Sequence, residues 1–370
     1  MTNHAIPDSA GTRVADVPVP RDPTRLTPQW VTRVLARRHP DAVVGDVEVE
    51  HIDRGTTTRA LIRLGYREGA GPARLFVKMQ GGPQHRATMW VLGMLNHEAA
   101  AYRRFDPMPL TAPTVYATGL ERRRLQSVVV MEDLRDRGAV LNDARRSVPV
   151  ARVERVLDDL AAMHARFWGG RDPGVRTVPV RRFLPGWAIV SAAGNARFVR
   201  ERGDLLERIC APGLRSARAL TRAWRAGMAD IASGPLTLLH GDTHIGNTYE
   251  LPGGRFGFLD WQLISRGAWS HDVSYFLTSA LSIEDRRRHE RDLIARYAER
   301  LAALGITELS ASQAWEGHRR AQAYGLPCWT ATAGYADYQQ DDLAVTTAER
   351  FAAAYADLDT DAALREADLL

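Results

Sequence analysis

Through the first third of the chain, apolar residues come in short blocks or alternate with polar ones; beyond that they recur mostly at helical spacing. The blocks at residues 43–52, 60–66, 74–79, 115–119 and 125–131 predict strands, a small antiparallel sheet of about five. Two helices are predicted around them. One covers residues 27–38, with Thr27 as cap, Pro28 in the first turn and Trp30, Val31, Val34 and Leu35 as its stripe. The other covers residues 90–105, with Val91, Met94, Leu95, Tyr102 and Phe105 on one face. From about residue 148 the pattern is helical: Val153, Val156, Leu157, Leu160, Met163, His164 and Phe167 form a long stripe that stops at Trp168-Gly169-Gly170. Residues 1–23, rich in Pro, Asp, Thr and Ala without periodicity, are expected to be a flexible arm.

The pattern predicts an α+β protein. At 370 residues the chain is long for one core, so two lobes are expected, residues 24–134 and 135–370. With 45% hydrophobic and 25% charged residues, it has the composition of a soluble globular protein. No apolar run approaches the ~18 residues of a membrane span. The first residues lack a signal peptide's basic segment and apolar core, so a cytoplasmic location and no membrane partner are expected. Two cysteines, Cys210 and Cys328, make neither a disulfide framework nor a zinc site. The net charge is +5, but the basic residues are scattered and match no nucleic-acid module, which argues against a nucleic-acid partner. Of the 49 basic residues, only Lys78 is a lysine. A chain that uses Arg everywhere else has kept a compact ammonium at one place, where a planar guanidinium does not fit.

The chemistry concentrates between His240 and Asp260. Asp242 and Asn247 stand in His-Gly-Asp-x-x-x-x-Asn, the spacing of a kinase catalytic loop, and Asp260 follows in Leu-Asp-Trp-Gln. Thr248-Tyr249-Glu250 and residues 255–259 read as two strands joined by Leu251-Pro252-Gly253-Gly254, a hairpin that returns Asp260 to Asn247. Phosphoryl transfer from MgATP needs oxygen ligands for the metal and a carboxylate to orient the acceptor hydroxyl and take its proton. Asn247 and Asp260 are the expected metal ligands, and Asp242 the base.

The upstream half supplies the matching parts. Lys78 lies in an apolar strand and needs a partner. Glu98, on the apolar face of the helix that follows, is that partner. Gly55, Thr56 and Thr57, between two strands, could cover phosphates or form a plain hairpin. The strand ending at Glu132 opens into a polar linker, where the Glu132 carbonyl and the Leu134 amide are placed, by analogy with kinases, to pair with adenine. His164, on an apolar face, reads as a core histidine. Asp272 could accept backbone N–H groups from the catalytic loop. Residues 169–235 carry 12 Arg against five carboxylates, either a wall of an acceptor pocket or a solvated face. Residues 301–370 hold 11 acidic and four basic side chains. Among them Asp337, Asp341 and Asp342, near Trp329, Tyr335 and Tyr338, read as a solvated face, with a cationic acceptor as the other reading.

In this order, Lys78, Glu98, Met131-Glu132-Asp133-Leu134, the 163–168 segment, His240-Gly241-Asp242 to Asn247, and Asp260 resemble the aminoglycoside-phosphotransferase-like superfamily. Within it, the ecdysteroid-kinase-like branch is closest in look. The resemblance spans residues 45–300. It implies a two-lobed protein-kinase-like fold and ATP-dependent phosphorylation of a hydroxyl on a small molecule such as a steroid, polyketide or sugar, with Mg²⁺. It also implies Lys78 and Glu98 on the phosphates. The chain departs from protein kinases in its thin Gly-rich loop, in Asp-Trp-Gln for Asp-Phe-Gly, and in the short stretch between Asp260 and Asp272, too short to dock a peptide. An aminoglycoside acceptor and a nucleotide-binding pseudokinase scaffold are the alternatives, and the oligomeric state is left open.

Overall fold

The computed structural model describes residues 14–55, 57–170, 184–335 and 339–370. The chain forms two compact units, Met1–Trp90 with Leu95–Gly138, and Val91–Met94 with Ala139–Leu370. Thr56, Asp337 and Tyr338, named above, lie outside the described residues, as do residues 1–13 and 171–183.

The first unit is built on a six-stranded sheet in the order β1-β5-β6-β4-β3-β2. Its strands are β1 (Ala15–Asp16), β2 (Val43–Arg54), β3 (Thr57–Glu68), β4 (Arg74–Gln80), β5 (Val115–Glu121) and β6 (Gln126–Glu132). The pairs among β2 to β6 are antiparallel, whereas β1 pairs parallel to β5, Ala15 opposite Ala117. Alternation in β3 and β4 sends Ala60, Ile62, Leu64, Leu75, Val77 and Met79 into the core. Helix α1 (Pro28–Leu35) covers it with Val31, Val34 and Leu35; Thr27 accepts the Trp30 amide at 3.2 Å, and Pro28 opens the helix.

The sequence expectations differ from this unit in three places. Within the arm expected over residues 1–23, the chain is packed from Val14 on: β1 joins the sheet, Val17 and Val19 are buried, and the Pro18 carbonyl accepts the Trp30 indole N–H at 2.8 Å. Two-residue pairing leaves no periodicity to read. The strands flanking Gly55 run on to Arg54 and from Thr57, past the expected ends at residues 52 and 60, which fits the plain hairpin of the two readings, with the Gly55 amide on the Thr57 carbonyl at 3.0 Å. Finally, the helix expected over residues 90–105 is two, α2 (Pro83–Val91) and α3 (His97–Arg104). Gly93 and Asn96 take positive φ, +73° and +66°, which ends one helix and restarts the other. Val91, expected on the apolar face, is 54% exposed.

The second unit is mainly helical. Its helices are α4 (Val150–Phe167), α5 (Leu184–Glu201), α6 (Gly203–Ile209), α7 (Ala217–Ala232), α8 (Ser270–Ala280), α9 (Ile283–Ala303), α10 (Ala311–Ala333), α11 (Asp341–Asp357) and α12 (Thr360–Glu366). Two small sheets lie among them. Strand β7 (Val140–Leu141) pairs with β9 (Thr248–Leu251), which pairs with β10 (Arg255–Phe258); β8 (Leu236–Leu239) pairs with β11 (Ser265–Ala268). Helix α8 is buried along its whole length and packs on α4, α9, α10 and α11. Ser270 is its first residue. The chain reaches the site from β8 and returns to it through the β9–β10 hairpin.

Candidate active site

After β8 the backbone turns sharply. Gly241 has φ +86°, and a Cβ there would lie 2.2 Å from the Leu263 carbonyl oxygen, so only glycine fits. The turn presents Asp242. A single 3₁₀ turn (Ile245–Asn247) follows and brings Asn247 round, so that its Nδ2 donates to the Asp242 carbonyl at 2.9 Å and to Asp242 Oδ2 at 2.8 Å. The hairpin then does what its turn residues require. Gly253 and Gly254 have φ of +88° and +80°, Leu251 pairs with Arg255, and the Leu259 amide donates to the Asn247 carbonyl at 2.8 Å. Asp260 follows at once, in the left-handed region at φ 57° and ψ 69°. Asp242, Asn247 and Asp260 are thus held in one corner by backbone geometry.

Beneath the corner lies a buried polar network. Asp272, in the first turn of α8, accepts the His240 amide at 2.7 Å and the Gly241 amide at 2.9 Å, and its carbonyl accepts the Thr243 hydroxyl at 2.7 Å. Burial pushes its carboxyl up, but the hydrogen bond and charge of His164 outweigh it and hold the group below the usual carboxylate range. His164 lies 3.4 Å from Asp272 through Nε2 and 2.7 Å from the Tyr297 hydroxyl through Nδ1, with no exposed surface. His271 Nε2 meets the Gly241 carbonyl at 3.0 Å, His240 Nε2 the Leu259 carbonyl at 2.8 Å, and the Ser279 hydroxyl accepts the Ile245 amide at 2.9 Å. The loop's backbone groups are met by α8 and by its own histidines, which fixes the direction of Asp242.

In the first unit, Lys78 Nζ lies 2.8 Å from Glu98 Oε2, each side chain 11% exposed. Lys78 comes from the middle of β4; Glu98 comes from the first turn of α3. The Glu132 side chain accepts the Thr114 amide at 2.7 Å and pairs with Arg137 at 3.0 Å, and Leu134 opens a 3₁₀ turn. That turn is fixed by Asp133, 6% exposed, which accepts the Arg135 amide at 3.1 Å and Arg74 Nε at 3.1 Å.

A family model described as the phosphotransferase enzyme family matches residues 66–324, well over half of the chain. The chain belongs to that family. The match covers Lys78, Glu98, Asp242, Asn247 and Asp260 of this phosphotransferase. Its fold is that of a choline kinase from Cryptosporidium parvum, at TM-score 0.51 and 11% identity over 88% of this chain and 91% of that one. A choline/ethanolamine kinase family protein from Mesorhizobium loti is also similar, at TM-score 0.43 and 16% identity over 86% and 92% of the two chains. An aminoglycoside phosphotransferase from Streptomyces rimosus gives 0.42 and 13% over 72% and 89%. Among curated proteins none matches. The phosphotransferase therefore has the two-lobed, α+β, protein-kinase-like fold, and no helix among its described residues is long and apolar enough to cross a membrane.

Some side chains that hold these segments gave no signal in the sequence. Tyr297 lies 25 residues beyond Asp272, on α9, and only packing joins them. Asp133 stood in the expected polar linker, but nothing in the sequence marked it as the residue that fixes the turn. The 169–235 segment does reach the loop: Trp187 of α5 and Met228 and Ile231 of α7 line a cavity of about 20 Å³ with Gly241, Leu263 and His271. Asp341 and Asp342 occupy the first turn of α11, where the helix dipole favours them, and face Arg202 and Arg145.

Proposed function

We propose that this phosphotransferase moves the γ-phosphate of ATP to a hydroxyl of a small molecule, with Asp242 as base and Asn247 and Asp260 as ligands of Mg²⁺. The observation that carries the reading is the corner itself: Asn247 donates to Asp242 and, through its backbone, holds the segment that presents Asp260. The donor set fits the metal. Nδ2 of Asn247 is turned to Asp242, which leaves the amide oxygen for a cation, and an amide oxygen with a carboxylate, completed by phosphates and water, suits Mg²⁺. When bound, Mg²⁺ would neutralise charge between the phosphates.

The remaining roles follow from the chain's own groups. Lys78, oriented by Glu98, supplies a point charge to the α- and β-phosphates. Gly55 and Thr57, with Thr56, are proposed to cover them, and the Glu132 carbonyl and Leu134 amide to pair with the adenine edge. The first lobe, residues 24–134, would thus carry the nucleotide groups, and the second, residues 135–370, the base, the metal ligands and the acceptor groups. As the acceptor oxygen bonds to the γ-phosphorus, its proton passes to the Asp242 carboxylate and ADP leaves.

Replacing Asp242 by Asn tests this most directly. Turnover is expected to fall about 10²-fold or more while MgATP binding, read by thermal shift, is kept. Loss of binding with residual turnover unchanged would remove Asp242 from the role of base.

A further inference from the structure

The second unit holds a cavity of about 320 Å³ that none of the roles above uses. It is bounded by the end of α7, the start of β8, the end of β11, the first turn of α8 and the first half of α10. Its size is that of a small-molecule site. The rim is exposed at Ser233, Gly234 and Ser312, whereas the floor is buried: Asp230, Trp269 and Ser270 are 4, 3 and 3% exposed.

Polar groups on this cavity are short of partners. Arg320 holds Asp230 by one contact, Nε to Oδ1 at 2.7 Å, so both terminal amino groups of the guanidinium and the second carboxylate oxygen make no hydrogen bond among the described residues. The buried Ser270 hydroxyl makes none either. A buried polar group without a partner costs stability that a bound ligand returns. Burial raises the Asp230 carboxyl, and the charge and hydrogen bond of Arg320 offset this only in part. Glu308 and Glu316 add two more carboxylates. Each spends one oxygen within the protein, Glu308 on the Trp168 indole N–H at 2.6 Å and Glu316 on Arg319 at 2.7 Å, which leaves the other oxygen to a ligand.

We infer that this cavity is a second small-molecule site, for an α-amino acid with a basic side chain: the ligand's carboxylate meets the Arg320 fork and the Ser270 hydroxyl, and its ammonium groups meet Asp230, Glu308 and Glu316.

The pairing of unlike charges selects the class. A planar fork with both terminal amino groups open matches a carboxylate through two parallel hydrogen bonds. A phosphate would suit the same fork but would lie among three carboxylates. A simple amine would suit the carboxylates but would face the fork. A ligand carrying both charges answers both, and the surplus of carboxylates favours one with an extra cation. The site lies close in sequence to the catalytic loop's support: Ser270 leads directly into His271 and Asp272, which hold the Gly241 turn. The inference does not depend on the role of Asp242.

Calorimetric titration of the full chain with three probes tests it: L-lysine, cadaverine, which is lysine without its carboxylate, and 6-aminohexanoate, which is lysine without its α-ammonium. L-lysine is expected to bind with a Kd of about 1 mM or tighter, and about tenfold or more tighter than either of the others. No saturable binding of L-lysine would overturn the inference, and so would cadaverine or 6-aminohexanoate binding as tightly. Ser270→Ala removes a hydroxyl that has no partner, so the melting temperature without ligand should hold while L-lysine binding weakens about threefold or more. Arg320→Lys should cost about tenfold or more for L-lysine and little for cadaverine. An affinity unmoved in both variants would take the ligand out of this cavity. Asp242→Asn should bind L-lysine as the wild type does; a loss there would place the ligand at the catalytic loop instead and overturn the inference.

Discussion

His244 accepts the Gly246 amide at Nδ1, 3.1 Å away, so its proton sits on Nε2 and points toward Asp242. Burial is the first cause of its lowered pKa, about 4, and the charge of Asp260 opposes it only in part. The fold therefore favours the neutral ring. Between pH 6.5 and about 4 the unfolded chain binds a proton that the folded chain refuses, so stability rises with pH across this window. The contribution is complete above pH 6.5 and is lost as pH falls toward 4; its size is roughly 3 kcal/mol. Urea unfolding of His244→Gln at several pH values should show a shallower acid loss than the wild type. Identical slopes would mean the ring is protonated without cost. Burial also lowers His240 and His271, so these acid-sensitive groups gather around the loop that carries Asp242.

The loop and α8 form one mechanical element. Gly241→Ala would place a methyl against the Leu263 carbonyl in a backbone region alanine avoids. A loss of about 2 kcal/mol or more is expected in the urea midpoint, and an unchanged midpoint would mean that the turn can relax. Asp272 uses both carboxylate oxygens on adjacent backbone amides. Asp272→Asn keeps the shape but aims an NH₂ at a donor, so kcat should fall about tenfold or more, with MgATP affinity nearly kept; a wild-type kcat would limit Asp272 to packing. Of this element the hairpin and its ends were legible, because Gly253 and Gly254 state the turn and the spacing of Asp242 and Asn247 states the loop. The tightness of the Gly55 reversal and the break between α2 and α3 were not. Helical periodicity reads straight through Gly93 and Asn96, whose positive φ is set by packing. His164 and Asp272 could be placed on elements but not on each other, since 108 residues separate them.

For the whole molecule, composition was as informative as any motif. The two compact units each carry a different part of the proposed chemistry, and the strongest pointer to the first was that 48 of 49 cations are arginine. Lys78→Arg must fit a broad fork where a narrow ammonium meets Glu98. A loss of about tenfold or more in kcat/KM is expected, and full activity would make the lone lysine an accident. What stayed illegible at this scale was the ring packing beside Asp242, because the rings come from α8, α10 and the loop between β8 and β9, and their sequence neighbours say nothing of one another.

The lone lysine also makes the chain a self-selecting target for amine chemistry. Apart from the terminal amine, an acylating reagent finds a single nucleophilic nitrogen of this kind, and it lies in the ion pair with Glu98. Mass added at that position would report directly on how often the pair opens, and a nucleotide bound there would slow the labelling without any need to know what the acceptor is.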